Sequence, residues 1–361
     1  MTFTPSRLTV ARNRRGLSKT ALAKLVGLTA RSISAYESGD TVPTADTLAS
    51  LADALAFPSA FFSMPDIDEP VPAGASFRAL TRMTAGQRDS ALAAGAIAIQ
   101  LSGWIDQRFD LPDVRVPDLR GYEPEAAAEA LRAHWDLGQR SIRNMVHVLE
   151  AHGVRVFSLA EECAEVDAFS FWRNDRPFVF LNTMKSAERS RFDAAHELGH
   201  LTLHRHGGPR GRAAEHEADQ FASGFLMPRG TVLATAPRVP SLRRLVELKK
   251  NWNVSVAALA HRLHAVGVLS EWHYRQLCID MNQRGYRKRE PEGTQRETSQ
   301  VLSKVLKALR AEGITKQAIA KELGLPAEEV ETLVFGLALV SVEGGHDNAD
   351  AKTSAPNLRL V

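Results

Sequence analysis

The run His196-Glu197-Leu198-Gly199-His200 puts two imidazoles four residues apart with a carboxylate beside the first. On a helix that spacing projects both rings from one face, where they can grip a single ion. A catalytic zinc takes such ligands at about 2 Å and keeps one position for water. Glu197, next to the first imidazole, is placed to take a proton from that water rather than to bind the metal. With 12 histidines in 361 residues, the pattern arises by chance in only about 2 of 100 such chains, so it carries weight by itself. A third ligand is expected downstream, in Ala214-Glu215-His216-Glu217-Ala218-Asp219-Gln220-Phe221-Ala222. Glu215 is the first choice, with Glu217 and His216 as alternatives. Asp219, one turn beyond Glu215, suits an acceptor for a ligand histidine's other N–H.

Those side chains need a scaffold. From about Ser141 the pattern predicts a helix through Met145, Val148 and Leu149, a break at Gly153, and a strand at Val154-Arg155-Val156-Phe157. Two further apolar runs, Ala168 to Trp172 and Phe178 to Leu181, flank Asn174-Asp175 and read as a hairpin. A small sheet thus precedes the helix carrying His196 and His200, and Phe221, Phe225 and Leu226 give the following acidic segment an apolar helical stripe. His204 reads as a helix-end histidine facing solvent or packing locally, and Asn182 as a strand-terminating turn residue.

The N-terminal residues offer a different chemistry. Between Arg7 and Leu55, Leu8, Ala11, Leu22, Leu25, Val26, Ile33, Tyr36, Leu48, Leu51 and Leu55 suit the core of a bundle of four or five helices. Gly27-Leu28-Thr29 is the turn, and Thr29 caps a helix from Ala30 to Glu37. Its outward residues Ala30, Arg31, Ser32 and Ser34, with Ser18 and Lys19, face a DNA major groove, while Arg14, Arg15, Lys19 and Lys24 reach phosphates.

The segment Gly16-Leu17-Ser18-Lys19-Thr20-Ala21-Leu22-Ala23-Lys24 returns 297 residues later as Gly313-Ile314-Thr315-Lys316-Gln317-Ala318-Ile319-Ala320-Lys321. Gly27-Leu28 returns as Gly324-Leu325, and Ile33 as Val330. A second helix-turn-helix-like module is therefore expected. Where the first copy has Arg31, Ser32 and Ser34, however, the second has Glu328, Glu329 and Glu331, which repel phosphate and point to contact with protein or to self-association.

Two resemblances follow from these residues. Leu17-Ser18 through Ser38-Gly39, with Val42-Pro43 and Leu48, resembles the phage-repressor-like (XRE) helix-turn-helix family. The run Arg191 to Leu201, with Glu215 to Phe221 and Leu226-Met227-Pro228, resembles the ImmA/IrrE family of metallopeptidases over about residues 141 to 228. That likeness implies a zincin-like fold, zinc ligands at His196, His200 and Glu215, and a general base at Glu197. The asparagine common in that family after the Glu-Ala pair is Asp219 here. Several members of the family resemble regulators that cleave DNA-bound repressors.

The expected fold class is therefore mainly α with a small α+β zincin-like domain: an N-terminal helix-turn-helix bundle, a central metallopeptidase domain and a C-terminal helical region. Expected boundaries are 1–63 for the first bundle, 64–140 for a linker and helical segment opened by Thr84, and 141–230 for the zincin-like domain. A helical extension with the basic run Arg284 to Arg289 covers 231–295, the second module 296–343, and a disordered tail 344–361. Only Cys163 and Cys278 are present, which excludes a disulfide scaffold. The apolar stretch Ala91 to Ile105 is too short and too interrupted to span a bilayer, so a cytoplasmic protein is expected.

The functional expectation is a DNA-binding regulator with a Zn2+-dependent endopeptidase site acting on a protein partner such as a repressor. The alternative is a transcription regulator whose zincin-like domain senses a ligand or metal without proteolysis. Partners are double-stranded DNA and a protein substrate, with a homodimer as one option and no membrane.

Overall fold

The computed structural model describes residues 3–70, 84–159, 167–205 and 211–338. The expected tail and Cys163 lie outside these residues. The chain divides into two units, one formed by residues 1–112, 157–166 and 300–361, the other by residues 113–156 and 167–299. Among the described residues no helix is long and apolar enough to cross a membrane.

In the first unit, α1 (Pro5–Arg14), α2 (Lys19–Leu25), α3 (Ala30–Ser38) and α4 (Ala45–Leu55) form the N-terminal bundle, closed by a 3-10 turn at Ser59–Ser63. Each helix after the first has a hydroxyl cap: Ser18, Thr29 and Thr44 each accept a backbone N–H three residues on, satisfying a donor that the first helical turn otherwise leaves unpaired. Leu8, Leu22, Ile33, Leu51 and Leu55 are fully buried as expected. Leu25 departs from expectation, being 62% exposed, because it is the last residue of α2 and points away from the α1–α3 contact. The long helix α5 (Ala85–Asp106) starts at a Thr84–Gln87 capping box and packs against α1. After the second unit, α14 (Gln300–Ala311), α15 (Lys316–Glu322) and α16 (Ala327–Val334) complete the first.

The second unit carries α6 (Pro124–His134), α7 (Met145–Ala151), α8 (Ala187–Leu203) and α9 (Arg212–Leu226), then α10 (Arg229–Thr235), α11 (Leu242–Leu248), α12 (Val256–Ala265) and α13 (Glu271–Gln283). Strands β1 (Arg155–Ser158), β2 (Ala168–Arg173) and β3 (Arg176–Leu181) form a sheet in the order β1-β3-β2. The β2–β3 hairpin is antiparallel with Arg173 opposite Arg176, and Asn174 and Asp175 between them both have positive φ. That is the two-residue turn whose twist matches a hairpin, and asparagine and aspartate tolerate it best. Phe169, Phe171, Phe178 and Phe180 stack with one another, and α8 lies on β2 and β3.

Buried charges anchor the first half of α8. Glu188 accepts hydrogen bonds from the Thr294 backbone N–H at 2.8 Å and from Lys249 at 3.4 Å, and Lys249, wholly buried, also meets Glu290 at 3.1 Å. Arg191 pairs with Glu297, which in turn accepts the Met145 and Val146 N–H groups at the start of α7. Residues 290–299 therefore strap α8 to α7 through paired charges, so that none of these carboxylates is buried alone.

The second half of α8 is held by contact with α9. A Cβ placed on Gly199 would lie 3.1 Å from the Phe221 ring and 3.2 Å from the Ala218 Cα. The two helices meet at this distance only because Gly199 has no side chain. Replacing Gly199 with Val is expected to cost about 1–3 kcal/mol by overpacking. It should also weaken metal binding as α9 is pushed away; a thermal unfolding midpoint and metal affinity equal to those of the unaltered protein would show that the approach is not tight.

Candidate metal centre

Helix α8 begins at the Ser186 cap and turns His196 and His200 toward α9. Glu215 stands in the first turn of α9, buried against them. His196 Nε2 and His200 Nε2 are 3.1 Å apart, His196 Nε2 is 3.3 Å from one Glu215 oxygen, and His200 Nε2 is 3.5 Å from the other. These are the three residues that could hold a metal ion among the described ones. Ligands at 2.0–2.1 Å around a tetrahedral ion lie about 3.3–3.4 Å from one another, and the three separations bracket that edge. The donor set fits.

The far sides of both rings are also occupied. His196 Nδ1–H donates to Asp219 at 2.9 Å, which aims Nε2 at the metal position as the nitrogen that gives up its proton to a metal. His200 Nδ1 meets His204 Nδ1 at 2.9 Å, and His204 Nε2 meets Glu217 at 3.0 Å. With Glu217 accepting from His204 Nε2–H, His204 Nδ1 accepts from His200 Nδ1–H, and His200 Nε2 is bare. Burial, the largest influence, holds His204 below the ordinary histidine value despite Glu217, in keeping with a neutral ring.

The candidate residues from sequence fall into place as follows. His196, His200 and Glu215 converge, and Asp219 backs His196. Glu217, weighed as an alternative ligand, is turned to His204 instead, and His216 is exposed. His204 packs locally at the end of α8, one of the two options its position offered, with its side chain only 10% exposed against His200 and Glu217. Glu197 points into the sheet, where Ser170 Oγ–H of β2 donates to its carboxylate at 2.6 Å. Ser170 escaped sequence reasoning. The available signal was a lone hydroxyl between Phe169 and Phe171 in a fully apolar strand. Asn182 is buried, its side chain accepting the Met184 N–H at 2.9 Å as a turn residue would.

The cluster is strongly polarised. Burial disfavours a charged His196, but the hydrogen bonds with Asp219 and Glu215 and the charge of Glu197 outweigh it and push this ring up to about 10. Burial alone would raise Glu215, yet the two imidazoles hold it well below the usual carboxylate range. Asp193, one turn before His196, is pushed up to about 7, chiefly by burial.

On the first unit, Ser18 and Thr29 serve as caps, and Thr29, Ala30 and Arg31 are exposed at the start of α3. Ser32 and Ser34 are half-buried. Ser32 hydroxyl bonds Thr29 at 2.9 Å, and Lys19 reaches Ser34 at 3.1 Å and Glu37 at 3.3 Å. The expected phosphate contacts Arg14 and Arg15 are engaged elsewhere: both bind Glu329, at 2.6 and 3.0 Å.

Comparison with known families agrees with this architecture. Two family models match separate parts of the chain. More specifically, residues 149–264 match the family described as IrrE N-terminal-like domain, and residues 10–62 match the family described as helix-turn-helix. No curated protein matches the chain.

Two outcomes test the centre. Because metal-free His196 keeps its proton up to about 10, an entering ion must displace it. Affinity should therefore rise with pH through neutrality, with about one proton released per ion in calorimetric titrations run in buffers of different ionisation enthalpy. Flat affinity from about pH 6 to 8 would contradict the assignment of that proton. Glu215→Ala should lose stoichiometric metal, whereas Glu217→Ala should keep it with about 10–100-fold weaker affinity.

Proposed function

We propose that this chain is a DNA-binding regulator that uses a zinc ion on His196, His200 and Glu215 to hydrolyse a peptide bond in a protein partner, a transcriptional repressor being the first candidate. The observation that carries it is Glu197: next to His196 in sequence, close enough for its charge to raise that ring, outside the metal-holding set, and hydrogen-bonded by Ser170. A site for binding metal alone has no use for a carboxylate there.

Bound zinc supplies Lewis acidity toward a peptide carbonyl and toward water. The residues do the rest. Glu197 accepts the proton from the attacking water and returns it to the departing amine. Ser170 fixes the plane of that carboxylate, so the base need not be ordered at each turnover. Asp219 and the His204–Glu217 pair hold both imidazoles in the ligating tautomer. At the DNA-binding end, Arg31 is the best base or phosphate contact, since it is exposed at the start of α3 and has no ion pair among the described residues.

The decisive experiment compares cleavage fragments across the proteome of the source cell for zinc-loaded protein and for Glu197→Gln. Loss of general-base chemistry should reduce cleavage by about 10²–10⁴-fold while zinc content is unchanged. Fragments produced equally by both proteins would sink the mechanism, and stoichiometric zinc with no fragments from either would favour the sensing alternative.

A further inference from the structure

The segment 300–338 repeats the helices and connecting turns of residues 5–38, although Pro326 stands where Thr29 caps α3. With the offset of 297 residues, α15 covers the same span as α2, Lys316–Glu322 against Lys19–Leu25, and α16 starts where α3 does, Ala327 against Ala30. Thr315 caps α15 by accepting the Ala318 N–H, as Ser18 accepts that of Ala21. Gly313 and Gly324 have positive φ, as do Gly16 and Gly27. The connecting hydrogen bonds also coincide. Leu17 N–H to Arg12 O matches Ile314 N–H to Leu309 O, and Leu28 N–H to Ala23 O matches Leu325 N–H to Ala320 O. Ile319 and Val330 are buried like Leu22 and Ile33.

On the helix that would read DNA in this copy, Glu328 and Glu331 stay exposed while Glu329 faces the first copy. Glu329, at the position of Ser32, is buried, with one oxygen on Arg14 Nε at 2.6 Å and the other on Arg15 at 3.0 Å. The turn before it lies against the first copy and α5. A Cβ on Gly324 would come within 3.4 Å of the Phe61 Cα, and Gln100 donates to Leu323 O at 2.9 Å. Arg108 pairs with Glu322 at 2.5 Å. Arg15 also donates to Leu55 O and Ala56 O at the end of α4. The first copy leaves Thr29, Ala30 and Arg31 exposed.

We propose that residues 299–338 are a second helix-turn-helix module that has exchanged DNA reading for docking on the first, with Glu329 clamping Arg14 and Arg15 away from phosphate. Each chain then presents one reading helix, and the clamp limits how strongly and how salt-sensitively that helix binds DNA. This rests on the first module binding DNA. A carboxylate at the position of Ser32 meets the paired guanidiniums at the end of α1, which a serine there could not neutralise.

The test uses the full chain and a random-sequence DNA duplex of about 30 base pairs, because phosphate contacts do not depend on sequence. Glu329→Gln keeps the shape and removes the charge. It should bind the duplex about tenfold more tightly at low salt, with the slope of log affinity against log salt steeper by about one to two. The gain should vanish when Arg14→Ala and Arg15→Ala are added. Arg15→Ala alone, at a half-exposed residue that tolerates truncation better, should leave duplex affinity within about twofold of the unaltered chain. The clamp is overturned if Glu329→Gln folds cooperatively and gains nothing, if its gain survives loss of both arginines, or if Arg15→Ala by itself weakens binding about fivefold or more. If the unaltered chain does not bind duplex and Glu329→Gln does not either, the DNA-binding premise fails, a result distinct from binding by the unaltered chain without a gain.

Discussion

The metal centre depends on one close approach, the contact of α8 with α9 at Gly199. Only there can the last turns of α8 and the first turns of α9 come near enough for the His196 and His200 Nε2 atoms to lie 3.1 Å apart and each within 3.5 Å of a Glu215 oxygen. Ala195 and Leu198 on one side, Ala218, Phe221 and Ala222 on the other, seal the interface with small or flat groups. A side chain at residue 199 would separate the carboxylate from the imidazoles before it disturbed either helix.

Around that contact the polar groups are arranged in series. Each ligand histidine has its second nitrogen assigned, one to a carboxylate and the other to a neutral histidine backed by a carboxylate. Buried ring nitrogens with fixed partners cannot flip, and the two Nε2 atoms therefore point together. The price of burying so much charge is met by pairing: Glu188 with Lys249 and Arg191 with Glu297 hold the opening turns of α8, from which the ligands follow by helical geometry alone.

The first unit solves a different electrostatic problem. Two copies of one helical motif share α5 as a packing surface, yet two identical basic faces could not be buried against each other. Glu329 in the second copy makes the pairing attractive, and its contact with Arg14 is nearly free of water, where such attraction is strongest.

Much of this was legible in the chain itself. The spacing of His196 and His200 follows from helical periodicity, the Asn174-Asp175 turn and the Thr84 cap follow from local backbone preference, and the repeat at 297 residues follows from matching glycines and caps; each is a short-range property. Glu215 over Glu217 could be preferred but not decided, since two residues apart on one helix differ by about 200° in direction and only the position of α8 says which faces the ion. Ser170, His204 and the capture of Arg14 and Arg15 by Glu329 lay beyond sequence for the same reason. They join residues 27, 13 and 315 positions from their partners, and contacts at such separations exist only once the helices have packed.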